Sequence, residues 1–230
     1  AAVLQQKYNV LYTQGNFNND IGVPKTLLRL RPEHEIAVVE MGASHPGDIK
    51  ALVDVVEPDY AIITNVGRAH LQGFGSFEGV IHTKGELYDF MRANHGLGNT
   101  DNGKTLREGK APLSCVFIDS ENPYLNGIAQ GLNLVRYGCK DDDQLWVSGH
   151  VDSCSPMLNF TWRHNDGTSV GAPHATQTHL IGEYNITNML AAVSIGLYFG
   201  VPADNIVKAL SAYVPSNNRS QFEQTADNRL

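Results

Sequence analysis

The octapeptide GNTDNGKT, from Gly98 to Thr105, matches the phosphate-binding pattern G-x-x-x-x-G-K-[ST] at every position. A working phosphate loop follows a buried strand and precedes a helix, whose free backbone N–H groups and dipole hold the phosphates. Here the sequence predicts a helix upstream, from Ser76 to about Asn94, and Gly109 and Pro112 interrupt the chain soon after the match. We therefore predict a polar surface loop here rather than a nucleotide site.

Lys84 is a stronger candidate, because it lies in the middle of the apolar face of the helix predicted from Ser76. The other members of that face recur at spacings of three and four residues: Phe77, Val80, Ile81, Leu87, Tyr88 and Met91. Burial lowers the pKa of a lysine and makes the neutral amine accessible, which suits carbamate, Schiff-base or acid–base chemistry. The alternative is a side chain that extends past Gly85 to solvent.

Polar residues also follow two predicted strands. Glu40 ends a short apolar run, and Thr64 and Asn65 end the next one, with His70 a few residues further on. Ligands bind at the carboxyl ends of strands in open α/β sheets, so a glutamate there needs a positively charged partner or a metal ion. The alternatives are a glutamate paired with a surface lysine or turned to water, and an ordinary loop histidine.

A loop rich in asparagine precedes these strands. Asn16, Asn18 and Asn19 lie between Gly15 and Gly22 in the segment TQGNFNNDIGVPKT. Asparagine and glycine at this density are typical of turns. The same side chains can also hydrogen-bond a polar ligand such as a sugar or a peptide, and spacing alone does not decide between the two.

Two runs of apolar, mostly β-branched residues predict strands buried on both faces: EHEIAVVEMG, from Glu33 to Gly42, and DYAIITNVG, from Asp59 to Gly67. The residues between them predict a helix, with Ser44 as a possible N-cap, and hence a βαβ unit. The runs LSCVFID and LNLVRYG predict further strands. The fold class is therefore α/β, with a mostly parallel sheet flanked by helices.

Three other segments complete the prediction. Residues 145–181 contain alternating stretches around HNDGTS, which predict an antiparallel hairpin with an Asn-Asp-Gly turn at the sheet edge. The segment GEYNITNMLAAVSIGLYFG predicts a helix with Asn185 as its N-cap and Gly200 at its end. Residues 1–7, AAVLQQK, predict the second half of a helix.

Composition limits the classes of partner. The 230 residues, 42% of them apolar, suit a single α/β domain. A formal net charge of −7 favours small-molecule ligands and predicts no nucleic-acid binding. Three cysteines without C-x-x-C spacing favour a reducing cytoplasm. No run approaches the roughly 18 apolar residues of a membrane span, so we expect no membrane insertion.

Five segments resemble the central domain of the Mur ligases: GNFNNDIGVPKTLLRL, AVVEMGASHPGDI, ITNVGRAHLQGFGS, HTKGELYDF and GEYNITNMLAA. They occur in order and cover nearly the whole chain. The resemblance is weakest from Asn94 to Ser114 and across the hairpin. The Asn-Asn pair in the first segment favours the members that add D-alanyl-D-alanine (D-Ala-D-Ala) to UDP-N-acetylmuramoyl-tripeptide.

The resemblance implies a three-domain protein that binds ATP on its central domain. Residues 1–215 would be that domain, and residues 216–230 the hinge and the start of the C-terminal ligase domain. The phosphate loop would lie a short helix upstream of GNFNN, so that residues 1–10 would follow it and the octapeptide would lie in a divergent insertion. We therefore expect a fragment that is catalytically inactive by itself.

The resemblance also implies a magnesium site. Glu40 would bind the Mg²⁺ that bridges the β- and γ-phosphates of ATP, and His70 would hold a second Mg²⁺. Lys84 would be N-carboxylated, with its carbamate beside the second metal. Conversion of a cation to an anion that Mg²⁺ neutralises would explain a lysine on an apolar helix face.

For the ligands, the resemblance places Asn185 and Asn188 near adenine and Arg219 at the phosphates, although Tyr184 stands where the family commonly has histidine. It assigns five residues to the muramoyl-peptide side: Asn16, Asn18, Asn19, Thr64 and Asn65. The implied reaction transfers the γ-phosphate to the tripeptide carboxylate, and the amine of D-Ala-D-Ala then displaces phosphate from the acyl phosphate. The implied protein is a cytoplasmic monomer.

Two alternatives remain at this point. The first is another ligase of the same fold, such as a folylpolyglutamate or other muramoyl-peptide synthetase. The GNFNND loop argues against this alternative. The second is a non-catalytic nucleotide-binding module that kept the fold and lost the reaction. Retention of Glu40, His70 and Lys84 together argues against the second.

Overall fold

The computed structural model describes residues 1–67, 71–98, 104–107, 109–140, 142, 144–167 and 169–215. The strands in these ranges are β1 (Val10–Tyr12), β2 (Ile36–Val38), β3 (Tyr60–Ile62), β4 (Thr105–Leu106), β5 (Gly109–Lys110), β6 (Cys115–Asp119), β7 (Leu134–Gly138), β8 (Val147–Cys154), β9 (Met157–His164) and β10 (His174–Ile181). The helices are α1 (Gly22–Leu27), α2 (Asp48–Val56), α3 (Leu71–Phe74), α4 (Phe77–His95), α5 (Pro123–Gly127), α6 (Ile186–Tyr198) and α7 (Ala203–Ala212).

Six strands form the main sheet, in the order β10-β9-β8-β7-β6-β3. Strands β3, β6, β7 and β8 run parallel, whereas β9 pairs antiparallel with both β8 and β10. This arrangement confirms the predicted fold class, including the antiparallel hairpin at the sheet edge. Strand β8 was not predicted; it joins the hairpin to the parallel part of the sheet.

The hairpin turn has the predicted chemistry. The Asn165 side chain accepts a hydrogen bond of 3.0 Å from the backbone N–H of Gly167, and the Asp166 side chain accepts one of 2.9 Å from Ser169. Gly167 has a φ of 82°, a left-handed conformation that glycine adopts without a steric penalty.

Two apolar clusters cover the two faces of the main sheet. Side chains alternate along β6, so Cys115 and Phe117 join the first cluster while Val116 and Ile118 join the second. The first cluster includes residues of α6 and α7, and the second includes residues of α2, α4 and α5. Strand β6 is therefore buried on both faces, as its apolar run predicted.

The prediction that the first strand of the βαβ unit is buried on both faces was wrong. Strand β2 is only half-buried, with Ala37 exposed, and it pairs in parallel with β1 in a separate two-stranded sheet. Strand β3 pairs with β6 instead. In the described part of the chain no strand lies between β2 and β3, and a cavity of about 360 Å³ lined by both separates them. Apolar residues along β2 therefore lack the neighbour that would bury them.

Local interactions fix the helix that carries Lys84. The backbone N–H of Gly79 donates to the Ser76 hydroxyl at 3.0 Å, so Ser76 is the N-cap of α4, where the sequence predicted the helix to begin. The predicted cap of α2 was wrong: Gly47 occupies the N-cap position, and Glu86 accepts hydrogen bonds of 2.8 Å from the N–H groups of Gly47 and Lys50.

The start of the chain also differs from the prediction. Residues 1–7 contain a short 3-10 helix over Leu4–Gln6 rather than the end of a longer α-helix. Val3 and Leu4 of this segment are buried in the first apolar cluster. Among the described residues, no helix combines the length and the apolar character needed to cross a bilayer.

Replacement of Ser76 by alanine removes the acceptor for the Gly79 N–H group and lowers the free energy of unfolding by about 1 kcal/mol. Urea unfolding followed by circular dichroism measures the change. Ser76→Asn is the matched control, since asparagine also caps helices and preserves most of the stability. Equal loss of stability in the two variants would contradict a capping role.

Candidate active site

A cavity of about 720 Å³ lies where β2 and β3 end, next to α4. Its lining includes four of the residues that the sequence singled out: Glu40, Thr64, Asn65 and Lys84. Glu40 follows β2, Thr64 and Asn65 follow β3, and Lys84 lies in α4. The structure therefore brings together residues up to 44 positions apart, from Glu40 to Lys84, at the sheet edge where α/β folds bind ligands.

Lys84 is half-buried, and its side chain turns towards the end of β3 rather than past Gly85 to solvent. Its Nζ donates a hydrogen bond of 2.6 Å to the backbone carbonyl of Asn65. Burial lowers the pKa of the Lys84 ammonium below its ordinary value. At the next residue, Gly85, an added Cβ would lie 3.2 Å from the Ile128 side chain, so this part of α4 packs closely against Ile128. The alternative of a side chain that extends past Gly85 to solvent is therefore not observed, and the chemical role of Lys84 stays a prediction.

Glu40 is held by neutral groups. Its backbone N–H donates to the Thr13 hydroxyl at 2.9 Å, and its Oε1 accepts a hydrogen bond of 2.9 Å from Asn18 Nδ2. Within the described ranges it forms no salt bridge, so the alternative of a lysine partner is not observed. The carboxylate is exposed at the cavity, which agrees with the alternative of a glutamate turned to water and also leaves its oxygens open to a cation.

The asparagine loop makes contacts within the protein, which agrees with one of the two alternatives that the sequence left open. Asn19 Oδ1 accepts from the N–H groups of Ile21 and Gly22, at 3.2 and 2.8 Å, at the start of α1. Asn18 contacts Glu40, and the backbone carbonyl of Asn16 accepts from the Asn18 N–H at 2.8 Å. Among the described residues that line the cavity, none comes from this group of three. Their assignment to the substrate side stays a prediction.

Asn185 and Asn188 lie elsewhere, at the start of α6. The prediction that Asn185 caps this helix through its side chain was wrong, although it occupies the N-cap position. Its Nδ2 donates instead to the Ile181 carbonyl at 2.9 Å, and its Oδ1 accepts from Asn188 Nδ2 at 3.3 Å. Asn185 thus fixes the turn between β10 and α6, while Asn188 and Tyr184 remain exposed. Contact of this turn with adenine stays a prediction.

The predicted metal residue His70 and the predicted phosphate residue Arg219 lie outside the described residues. Within the described part, no cluster of three or more His, Cys, Asp or Glu side chains is arranged to hold a metal ion. Glu40 alone still fits Mg²⁺, because this ion takes hard oxygen ligands, keeps several waters, and commonly uses one or two carboxylates together with phosphates.

Gly98 and Lys104, described residues of the phosphate-loop-like octapeptide, do not line this cavity. Its Lys104 forms a salt bridge of 2.8 Å with Asp59, and its Thr105 begins β4, which pairs antiparallel with β5. Thr105 therefore begins a two-residue strand, where a phosphate loop would require a helix. This context agrees with the predicted surface loop; Asn99 to Gly103 lie outside the described residues.

Sequence reasoning missed Thr13 and Glu86. Thr13 holds the backbone of Glu40, and Glu86, two residues after Lys84, holds the start of α2. Both contacts join segments that are 27 to 39 residues apart, so the motifs in which Thr13 and Glu86 lie did not reveal them. One general signal was available for Glu86: the first N–H groups of a helix have no acceptor within the helix, so α2 needs an acceptor from elsewhere.

Comparison with known proteins defines the class. Residues 1–196 match the Mur ligase middle domain, and the chain belongs to this family. In a crystal structure of MurF from Acinetobacter baumannii, the similar region is 28% identical, with a TM-score of 0.77, and covers 98% of this chain and 44% of that one.

Two relatives carry a more specific name. The chain is 34% identical over 234 residues to a UDP-N-acetylmuramoyl-tripeptide–D-alanyl-D-alanine ligase of Escherichia coli (strain K12), covering 100% of this chain and 46% of the relative. A protein of the same name from Bacillus subtilis (strain 168) is 31% identical, covering 97% and 43%. The chain thus spans about half the length of the curated relatives it matches.

Carbon dioxide reacts with a neutral amine, so the lowered pKa of Lys84 favours a carbamate on its Nζ. We expect carbon-13 NMR of the chain in ¹³C-bicarbonate to show a carbamate resonance that is absent from Lys84→Arg, whose guanidinium stays protonated. Lys50→Arg, at an exposed lysine paired with Asp54, is the control and keeps the resonance. The α-amine of Ala1, whose pKa is also lowered by burial, gives its own carbamate signal in the wild type and in both variants. Survival of every other carbamate resonance in Lys84→Arg would contradict the assignment.

Proposed function

We propose that the chain is the central part of an ATP-dependent ligase that joins D-Ala-D-Ala to UDP-N-acetylmuramoyl-tripeptide. The names of the curated relatives support the substrates. The convergence of Glu40, Asn65 and Lys84 at one cavity, at the carboxyl ends of two strands, is the observation that carries the proposal. The proposal includes a cytoplasmic, monomeric protein.

In this proposal Glu40 would contribute one carboxylate oxygen to the Mg²⁺ of ATP. The Lys84 carbamate and His70 would hold a second Mg²⁺, Asn185 and Asn188 would lie near adenine, and Arg219 would lie near the phosphates. When bound, Mg²⁺ neutralises the charge that develops as the γ-phosphoryl group is transferred. The uncharged hydrogen-bond partner of Glu40 supports its assignment as a Mg²⁺ ligand, and the lowered pKa of Lys84 supports the assignment of the carbamate.

The phosphates need a loop that these described residues do not supply, since Lys104 and Thr105 are engaged in the surface hairpin. We place that loop in a part of the protein beyond these 230 residues. The cavity between β2 and β3 supports this placement: it shares Val38, Val39, Ile62 and Leu87 with the candidate active site. A strand in that gap would deliver its following loop to Glu40 and Lys84.

The chain's own residues orient the reactants and exclude water. Apolar side chains of β2, β3 and α4 form part of the cavity wall, and exposed Thr64 and Asn65 offer polar groups to the muramoyl-peptide. The tripeptide carboxylate accepts the γ-phosphoryl group and becomes an acyl phosphate. The amine of D-Ala-D-Ala then forms the new C–N bond, loses a proton and expels phosphate. Placement of the two reactants side by side supplies much of the acceleration.

The test uses a protein of the relatives' full length. We expect ATP-dependent phosphate release only when both UDP-N-acetylmuramoyl-tripeptide and D-Ala-D-Ala are present. Lys84→Ala lowers the rate by roughly a hundredfold, because it removes a charged group that acts on the transition state. Short carboxylates added to Lys84→Ala restore part of the rate by replacing the carbamate, whereas Lys50→Ala retains the wild-type rate. The isolated 230-residue chain releases no phosphate.

Other results would decide against the proposal. Phosphate release with a folate or with another muramoyl-peptide, and none with this pair, would identify a different ligase of the same fold. Binding of ATP without phosphate release for any substrate pair would identify a non-catalytic nucleotide-binding module. A Lys84→Ala variant with the wild-type rate would remove the carbamate from the mechanism.

A further inference from the structure

Asn18 and Glu40 are joined by two kinds of contact. The Asn18 side chain donates a hydrogen bond of 2.9 Å to Glu40 Oε1, and the backbone carbonyl of Asn18 accepts one of 2.7 Å from Gly42, two residues after Glu40. With the Thr13 hydroxyl on the Glu40 N–H, the loop after β1 holds the end of β2 at three points. Asn18 is half-buried, whereas its neighbour Asn16 is exposed.

Gly42 leaves room for the Asn18 amide. A Cβ placed at Gly42 would lie 2.9 Å from Asn18 Nδ2 and 3.0 Å from its Cγ. These contacts are too short for carbon, so a side chain at position 42 would push the amide away. The Asn18 amide therefore keeps its direction towards Glu40 because position 42 has no side chain.

An amide is suited to orient a metal-binding carboxylate. A lysine or arginine at position 18 would neutralise Glu40 and compete with a cation, whereas an uncharged donor fixes one oxygen and leaves the net charge unchanged. Among the described residues, Glu40 Oε2 accepts no hydrogen bond. One oxygen is thus held and the other is available at the cavity.

We propose that Asn18 is a positioning residue for Glu40, acting on divalent-cation binding rather than on the muramoyl-peptide. The inference rests on the proposed function for the role of Glu40 as a ligand of Mg²⁺. It reassigns Asn18 from the substrate-binding residues that the family resemblance implied. Loss of the Asn18 amide lets the carboxylate rotate, so the cation meets it less often in the correct orientation.

Two variants of the full-length protein test the proposal. Asn18→Ala removes the donor, and Gly42→Ala keeps the amide but displaces it. We expect each to weaken Mn²⁺ binding in the presence of ADP by about tenfold, measured from the EPR signal of free Mn²⁺. The control is Asn159→Ala, which removes an amide hydrogen bond of 3.0 Å to Ser153 far along the main sheet and leaves Mn²⁺ binding unchanged.

Steady-state kinetics separates positioning from substrate contact. The proposal predicts that Asn18→Ala raises the Mg²⁺ concentration needed for half-maximal phosphate release by about tenfold, with the KM for UDP-N-acetylmuramoyl-tripeptide changed less than about twofold. A raised KM with unchanged Mg²⁺ dependence would overturn it, as would wild-type Mn²⁺ binding in both variants. Circular dichroism identifies any variant that has not folded, and the other variant then carries the test.

The two proposals fail in different ways. If the wild type binds Mn²⁺ with ADP but has no ligase activity, the proposed function fails, and weaker Mn²⁺ binding by Asn18→Ala still supports the positioning role. If the wild type is an active ligase and both variants bind Mn²⁺ like the wild type, the positioning role fails and the ligase stands.

Discussion

The hydrogen bond from Lys84 Nζ to the Asn65 carbonyl, 2.6 Å long, connects helix α4 to the end of strand β3 and so defines one wall of the candidate active site. An ammonium has three N–H donors, and the described residues provide one acceptor for them. Burial of such a group with unfilled donors is costly unless a further anion or a change of protonation state compensates it. In the proposed function, carboxylation of Lys84 would provide that compensation.

Glu40 complements Lys84 across the cavity. Neutral donors hold the carboxylate in place, so it retains its charge, and it forms no ion pair with Lys84 among the described contacts. In the proposed function, one Mg²⁺ at Glu40 and a second at a carboxylated Lys84 would neutralise both groups, because each would contribute an anionic oxygen to its cation. The rest of the described fold supports this geometry: two apolar clusters fix the sheet, and Glu86 fixes α2 against α4.

The sequence predicted those features that depend on nearby residues. The apolar run of β6, the Ser76 cap and helical face of α4, and the Asn-Asp-Gly turn all follow from the local pattern, and the structure confirms them. Periodicity also identified Lys84, since a charged residue in an apolar face conflicts with the pattern around it. The rejection of the octapeptide as a nucleotide site likewise came from its local context.

The errors concern contacts between distant segments. The apolar sequence of strand β2 predicted burial on both faces. The burial of a strand depends on which strands lie beside it, and the sequence of β2 does not contain that information. Asn185 and Ser44 have side chains that often cap helices. The Asn185 side chain instead donates to the Ile181 carbonyl, and the Glu86 carboxylate accepts from the Gly47 N–H at the start of α2. The contact of Asn18 with Glu40 spans 22 residues, so no local motif could reveal it.

In the proposed function, Glu40 and Lys84 line one cavity that holds divalent cations, and Glu40 is a ligand of the first of them. Anomalous diffraction from crystals of the full-length protein grown with Mn²⁺ and ADP tests it most directly. The account predicts an anomalous peak about 2.1 Å from a carboxylate oxygen of Glu40, in the cavity that Lys84 lines. A peak bound only elsewhere, for example at Asp59 beside Lys104, with none at Glu40, would contradict it.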